Sequence, residues 1–318
     1  MWTYTKNPPD KKWAALAALV LLQTTGSLVY KVSQTSSGYA FSTFAALAVA
    51  EAVKLTISVA LYIRNPVRDA HLVRLANEDD KKRYWQHSLE ILALTAAYCA
   101  NNQLVFHVYL RADMASVVMF KSASSFVVAF LRSALFREWL TGSQWRAIIL
   151  QICGLVVTQY NACTASAALE HTAYEMLFLS VIISAVTSVW NERQVKRIPL
   201  SLHAQNIIMY TGGLAFNVMG HCATKRSHTT SPGFFHGYNA AAIGVILVNA
   251  CTGIAVTAVY KFADAVMKSL ALSVVTVVVT LLSWAFFELQ LNPVNASGCI
   301  VVAISVYTYS VAEAKNCG

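Results

Sequence analysis

Five basic side chains fall inside or at the edge of long apolar stretches: Lys54, Lys121, Arg132, Lys261 and Lys268. A charged group at the centre of a bilayer costs about 2.5–3.5 kcal/mol on insertion scales, so each one needs a carboxylate, a route to water or an anionic ligand. Lys121 has no acid three or four positions away on either side. It lies about 12 Å into its stretch at ~1.5 Å per residue, too deep for easy escape, which suits it to an anionic ligand. Lys268 follows Asp264 by four residues, so a local Asp–Lys pair competes with a ligand role. Glu51 and Lys54 are three apart and share a helix face, as an ion pair or a substrate contact. Arg132 sits one turn from the end of its stretch, where it can snorkel to the headgroups.

Polar side chains in apolar surroundings accompany these charges: Asn101, Asn102, Ser184, Asn206 and Tyr210, with Asn206 and Tyr210 four apart on one face. Asn, Ser and Tyr can hydrogen-bond a base or sugar hydroxyls. Their alternative is interhelical hydrogen bonding, common in membranes. Two lysines facing one cavity repel each other in low dielectric. A phosphate or pyrophosphate supplies the opposite charge and several acceptor oxygens. The seven cysteines contain no C-x-x-C pair, so neither a zinc site nor a disulfide framework is indicated. No metal, cofactor or covalent chemistry is needed. A membrane-embedded transferase would want paired carboxylates, and Asp113 and Asp264 read to opposite membrane faces. The chain is not read as an enzyme.

The elements that position these groups follow from composition. The 318 residues are 57% hydrophobic and only 12% charged, with mean hydropathy +0.51. A soluble domain is about 25% charged, so the composition rules out a disordered chain and argues against a soluble enzyme. Ten helix-length apolar segments can be drawn: Trp13–Tyr30, Tyr39–Ile63, His87–Tyr109, Asp113–Phe136, Gln144–Tyr160, His171–Trp190, Gln205–Cys222, Ala240–Tyr260, Asp264–Phe287 and Val294–Glu313. Segments this long argue against a β-barrel of short alternating strands. Only a tight turn at Tyr260–Asp264 separates the eighth from the ninth. Lys6, Lys11 and Lys12 precede a stretch long enough to span, which reads as a first helix and not as a cleavable signal.

The net charge of +9 would suggest nucleic acid in a soluble protein. Here it follows the positive-inside rule, with membrane lipids and no nucleic acid as partners. With the N-terminus in the cytosol, 15 Lys and Arg fall on the cytosolic side and four on the other. Both termini are then cytosolic.

An internal echo divides the chain. Tyr109-Leu110-Arg111-Ala112-Asp113 is followed by Met119, Lys121 and Ser122; Tyr260-Lys261-Phe262-Ala263-Asp264 is followed by Met267, Lys268 and Ser269. The first copy enters the membrane from one side and the second from the other, five helices later. This predicts an all-α integral membrane protein: ten transmembrane helices in two inverted five-helix repeats, residues 1–160 and 161–318, each presenting a lysine from its fourth helix near the midplane.

These residues sit in a wider pattern: Leu22-Gln23-Thr24-Thr25, Phe41-Ser42-Thr43, Glu51-Ala52-Val53-Lys54-Leu55, Asn101-Asn102, Gln144-Trp145, Gln159, Glu192, Lys196, Asn206, Met209-Tyr210, the loop Gly233-Phe234-Phe235-His236-Gly237-Tyr238-Asn239, and Lys261-Phe262-Ala263-Asp264 with Met267-Lys268. Across nearly its whole length the chain resembles the nucleotide-sugar transporters of the Golgi and endoplasmic reticulum. The branch is that carrying CMP-sialic acid, UDP-galactose and UDP-N-acetylglucosamine, in the drug/metabolite transporter superfamily. The resemblance implies an alternating-access antiporter in a Golgi or ER membrane, exchanging cytosolic nucleotide sugar for lumenal nucleoside monophosphate; a homodimer is allowed. It implies that Lys121 and Lys268 meet the phosphates with Lys261 nearby. Asn206, Tyr210 and Ser184 contact the nucleotide, and Asn101 and Asn102 line the sugar end. The loop Gly233–Asn239 leans toward UDP-sugar carriers. Helix four departs from the usual Y-Q-x-x-x-Q-L-K, lacking both glutamines before Lys121. The rival readings are a drug or metabolite exporter, which needs no pair of cavity lysines, and another organic-phosphate antiporter of the same fold.

The charge asymmetry yields an outcome to check. Single cysteines introduced between Asn65 and Arg83 in a cysteine-free background should react with an impermeant maleimide from the cytosolic side of sealed vesicles. Labelling from the lumenal side alone would reverse the assigned topology.

Overall fold

Each apolar segment becomes one α-helix, and small polar residues mark several of the starts. In the computed structural model the described residues are 9–35, 38–64, 78–112, 114–158, 171–227, 233–287 and 292–316. Ten helices lie among them: α1 Pro9–Val32, α2 Thr43–Arg64, α3 Glu78–Arg111, α4 Met114–Phe136, α5 Gly142–Thr158, α6 His171–Arg197, α7 Leu202–Ser227, α8 Ala240–Phe262, α9 Ala265–Phe287 and α10 Pro293–Asn316. A minimal antiparallel hairpin, β1 Gln34–Thr35 and β2 Gly38–Tyr39, turns the chain between α1 and α2. Asp113, Gln159 and loop positions 65–77, named in the sequence reading, lie outside the described residues.

The first amides of a helix need acceptors from outside it. Asn239 Oδ1 accepts from Ala242 N at 2.9 Å and Asp264 Oδ1 from Met267 N at 2.8 Å, starting α8 and α9. At α5, Thr141 and Gln144 form a reciprocal box: Gln144 N donates to Thr141 Oγ1, and Thr141 N donates to Gln144 Oε1. The Asp264 cap lets α9 begin immediately after α8 ends, the tight turn the sequence demanded. Gly237 lies in the loop before α8 with φ +74°, and a Cβ there would come within 1.9 Å of the Ala40 carbonyl oxygen. Glycine is the residue that fits that crossing.

Among the described residues six helices, α1, α2, α6, α8, α9 and α10, are long and apolar enough to cross a membrane. Of the others, α5 has 17 residues, and α7 buries Gln205, Asn206 and Asn217.

The helix pairing has a twofold logic. The most extensive contacts are α5 with α10, α2 with α7, α1 with α8, and α4 with α9. Substituting α6–α10 for α1–α5 in order turns α1–α8 into α6–α3, α1–α9 into α6–α4 and α2–α8 into α7–α3, and those pairs are also in contact. Two five-helix sets interlock in this pattern, one inverted against the other.

Lys12 near the start of α1 pairs with Glu313 near the end of α10 at 2.7 Å, so both lie on one face of the bundle. That basic face also holds the largest apolar cluster, with Leu16, Leu19, Val128, Ile148, Val189, Tyr260, Met267 and Tyr309 drawn from both sets. Smaller clusters around Phe41 and Phe106 and around Val105 and Leu177 serve the opposite face. The largest apolar cluster among the described residues thus lies toward the basic face.

At the opposite face α10 begins against the end of α5. Asn295 Nδ2 donates to the Thr158 carbonyl at 2.7 Å. Asn295-Ala296-Ser297 is a glycosylation sequon, and its amide is held in a helix contact within the first turn of α10. We expect it to stay unmodified in a secretory-pathway membrane. A mobility shift on glycosidase treatment would contradict that.

Candidate functional site

Eight of the ten candidate residues line one central cavity of about 210 Å3: Glu51, Lys54, Asn101, Asn102, Lys121, Ser184, Tyr210 and Lys268. It is built from α1, α2, α3, α4, α6, α7, α8 and α9, so both five-helix sets contribute. Its charged lining consists of three lysines and one carboxylate.

The carboxylate is committed. Lys54 Nζ meets Glu51 Oε1 at 2.6 Å, with both residues under a tenth exposed, and lies 4.6 Å from the Tyr210 ring centroid. Two glycines make the space. A Cβ on Gly213 of α7 would stand 2.9 Å from Glu51 Cδ, and one on Gly253 of α8 would stand 2.6 Å from Lys54 Cδ. The ion pair that the spacing allowed does form, and it is part of the cavity wall.

The other lysines have no carboxylate among the described residues. Lys121 Nζ faces the Tyr109 ring at 5.6 Å from its centroid. Lys268 Nζ donates to Ser188 Oγ on α6 at 2.8 Å and lies 5.6 Å from the Tyr260 centroid. The local Asp264–Lys268 pair does not form, because Asp264 is occupied elsewhere. Its Oδ1 caps α9, and its Oδ2 lies 3.8 Å from Arg132.

Arg132 is likewise placed differently from the snorkelling expectation. Its Nε is 3.3 Å from Glu192 Oε1, and its terminal nitrogen reaches Asp264 and Glu138. Lys196 meets the same Glu192 oxygen at 2.6 Å, and Glu192 Oε2 accepts from Ala265 N at 2.9 Å. A guanidinium with two inward carboxylates in reach gains more from that fork than from the headgroups. The network joins α4 to α6 and to the α8–α9 turn beneath the basic face.

Among the neutral candidates, Asn101 Oδ1 accepts from Ser180 Oγ at 3.0 Å while its residue still lines the cavity. Asn206 stands one layer back, and its Nδ2 donates to Thr257 Oγ1 at 3.3 Å, with Thr257 in the wall. Lys261 is exposed at the end of α8, its Nζ 5.4 Å from the Phe262 centroid, outside the cavity lining. The loop Gly233–Asn239 is also outside the lining. Its Phe234, Phe235 and Tyr238 stack on one another and on His221 and Phe41.

Sequence reasoning missed two polar pairs in the wall. Asn249 Nδ2 donates to Tyr30 OH at 2.8 Å, and Asn191 Nδ2 donates to Tyr98 OH at 3.1 Å. Asn191 Oδ1 is left without a hydrogen-bond partner among the described residues. The signal was available, since a lone Asn in an apolar helix carries the same demand for a partner as the lysines. A third omission is Gln151 of α5, fully buried. Its Nε2 donates to the Ser122 carbonyl at 3.2 Å and to Ser273 Oγ, and its Oε1 accepts from Ser125 Oγ at 2.9 Å. It ties together the two helices that carry Lys121 and Lys268.

Such a cavity offers excess positive charge at Lys121 and Lys268 and hydrogen-bonding side chains around it.

Comparison with known proteins bears on the family. Residues 9–310 match the family model described as nucleotide-sugar transporter. The chain is 25% identical to CMP-sialic acid transporter 2 of Oryza sativa subsp. japonica over 97% of its own length and 86% of the relative's. It is 25% identical to the UDP-galactose translocator of Mus musculus over 94% and 78%. A solved crystal structure at 13% identity superposes with TM-score 0.66 over 95% of this chain and 98% of the other, a shared fold.

The Glu51–Lys54 pair generates a stability prediction. Glu51→Gln leaves a buried ammonium unpaired and should cost about 3–5 kcal/mol. Adding Lys54→Met removes the orphan charge and should recover most of the loss. Detergent melting curves of the single and double variants check this; a double variant no better than the single would refute it.

Proposed function

The chain belongs to the nucleotide-sugar transporter family, and on that premise we propose that it is an antiporter importing a pyrimidine nucleotide sugar in exchange for the matching nucleoside monophosphate. It is a multi-pass membrane transporter and not an enzyme, and its substrates are nucleotide sugars. The finer reading is a UDP-sugar such as UDP-galactose or UDP-N-acetylglucosamine, or CMP-sialic acid, carried into the Golgi or ER lumen with both termini in the cytosol. Relatives named for CMP-sialic acid and for UDP-galactose lie at similar distance, which supports a pyrimidine base.

One observation carries the reading: Lys121 and Lys268, on corresponding helices of the two sets, face one cavity without a carboxylate for either among the described residues. A diphosphate or monophosphate supplies the missing charge through charge-assisted hydrogen bonds. The base and sugar meet Asn101, Asn102, Ser184 and Tyr210, with Asn206 bracing the wall through Thr257.

The cycle follows from electrostatics. Residues 1–160 and 161–318 rock as two halves around the cavity. Closing the cavity on an empty site would seal like charges in low dielectric, where they repel. Closing it on an anion would not. The loaded carrier therefore reorients and the empty one stalls, which makes exchange obligatory. Arg132, Glu192, Lys196 and Asp264 hold the basic face shut and must part when the cavity opens to the cytosol.

Proteoliposomes preloaded with buffer, nucleoside or nucleoside monophosphate test this by initial uptake of labelled nucleotide sugar. Monophosphate should stimulate uptake and the uncharged nucleoside should not, with UMP expected over CMP. Equal rates under all three conditions would mean uniport.

A further inference from the structure

The lysines that await phosphate must also be held somewhere while the site is empty. For both, the structure provides the same device. Lys121 Nζ and Lys268 Nζ each lie 5.6 Å from the centroid of a tyrosine ring, Tyr109 and Tyr260 respectively. Each tyrosine closes the third helix of its five-helix set, and each lysine lies on the fourth. They are the first residues of the two Y-x-x-A-D stretches, so the echo in the sequence is also an echo in space. An ammonium within about 6 Å of a ring centroid is attracted by the ring quadrupole.

The rings are themselves fixed. Tyr260 is fully buried and Tyr109 is 5% exposed. Tyr109 stacks on Tyr30 at 5.3 Å and 15°, and Tyr30 is held by Asn249. Lys54 supplies the contrast: it also lies against a ring, that of Tyr210, but its charge is met by Glu51 at 2.6 Å. Lys121 and Lys268 have a ring and no carboxylate among the described residues. A carboxylate there would neutralise the lysine and compete with phosphate. An aromatic face attracts the cation without neutralising it and takes none of its N–H donors, although Lys268 gives one to Ser188 Oγ and keeps the others for the cavity.

We infer that Tyr109 and Tyr260 are positioning residues for the anion site, each holding the ammonium of its own lysine over the ring face so that the donors are aimed before phosphate arrives. This rests on the proposed phosphate role of Lys121 and Lys268. Losing the ring loses that preorganisation. Replacing either tyrosine with Leu should weaken nucleoside monophosphate binding by about threefold to tenfold, the range of one cation–π contact at a partly desolvated site.

The experiment is a set of double-mutant cycles read by equilibrium binding of UMP and of CMP to purified full-length protein, with melting temperature recorded for every variant. Tyr109→Leu should weaken binding in the wild-type background and have no further effect beside Lys121→Ala, while its effect should add fully to that of Lys268→Ala. Tyr260→Leu should show the reverse pattern. Tyr→Phe keeps the ring face and should rescue the Leu loss at either position. Where a Leu variant does not yield folded protein, Met takes its place in the same cycle. Equal losses in both lysine backgrounds, or Phe as damaging as Leu, would overturn the inference and reduce the tyrosines to packing. Unaltered binding in Lys121→Ala and Lys268→Ala would sink the phosphate reading itself, and this inference with it.

Discussion

Unpaired positive charge in a low-dielectric interior is the constraint around which this bundle is organised. Lysine in hydrocarbon is tolerated only with a partner, and the chain contains a full set of solutions to that problem. Lys54 takes a carboxylate one turn away. Arg132 takes two carboxylates brought from other helices. Lys121 and Lys268 take aromatic faces, which lower the cost without cancelling the charge. The difference between cancelling and lowering separates scaffold from site, because only an uncancelled charge has affinity left for a ligand.

The rest of the architecture serves that arrangement. Eight helices are needed to surround the cavity, and glycines at 213 and 253 admit the Glu51–Lys54 pair to its wall. The two helix sets run in opposite senses, so the same motif delivers one lysine from each membrane face to a common volume. An inverted repeat solves by duplication what a single repeat cannot, since one helix offers one lysine at one depth. The chain's own symmetry is imperfect where the work differs. The basic face is closed by ion pairs and a large apolar cluster, and the opposite face by a small hairpin, an aromatic loop and lesser clusters.

Much of this was legible in the residues. All ten helices lie where apolar runs sit between polar breaks, and the echoed Y-x-x-A-D stretches already implied the inverted sets. Eight candidates reach the cavity because a polar side chain in an apolar helix advertises itself. What was not legible depended on contacts between helices distant in sequence. Arg132 looked like a residue free to reach the headgroups; its partners Glu192 and Asp264 are 60 and 132 positions away, beyond any local spacing rule. For Lys268 the spacing left Asp264 as a rival to a ligand, yet Asp264 is occupied by an amide and a guanidinium. Lys261 and Asn206 share the family pattern with the lining residues, and only geometry separates a wall from what stands behind it. Gln151 gave no local hint, because its three partners belong to helices on either side of its own.

Gln151 has one more implication, a mechanical one. Its contacts fall at Ser122 and Ser273, each eight residues beyond the first residue of its helix, α4 or α9. Those helices start at opposite faces, so the knot lies roughly 12 Å, at ~1.5 Å per residue, from the first end of each. A lever pinned there has a short arm of roughly 12 Å and a long one of roughly 21 Å, at ~1.5 Å per residue. A tilt of about 10° moves the end of the short arm by about 2 Å and leaves the pinned point still. Lys121 is the immediate neighbour of Ser122, and Lys268 is little more than a turn from Ser273. The groups that recognise the cargo therefore ride close to the axle, where displacement is smallest, while the rims at either face do the travelling.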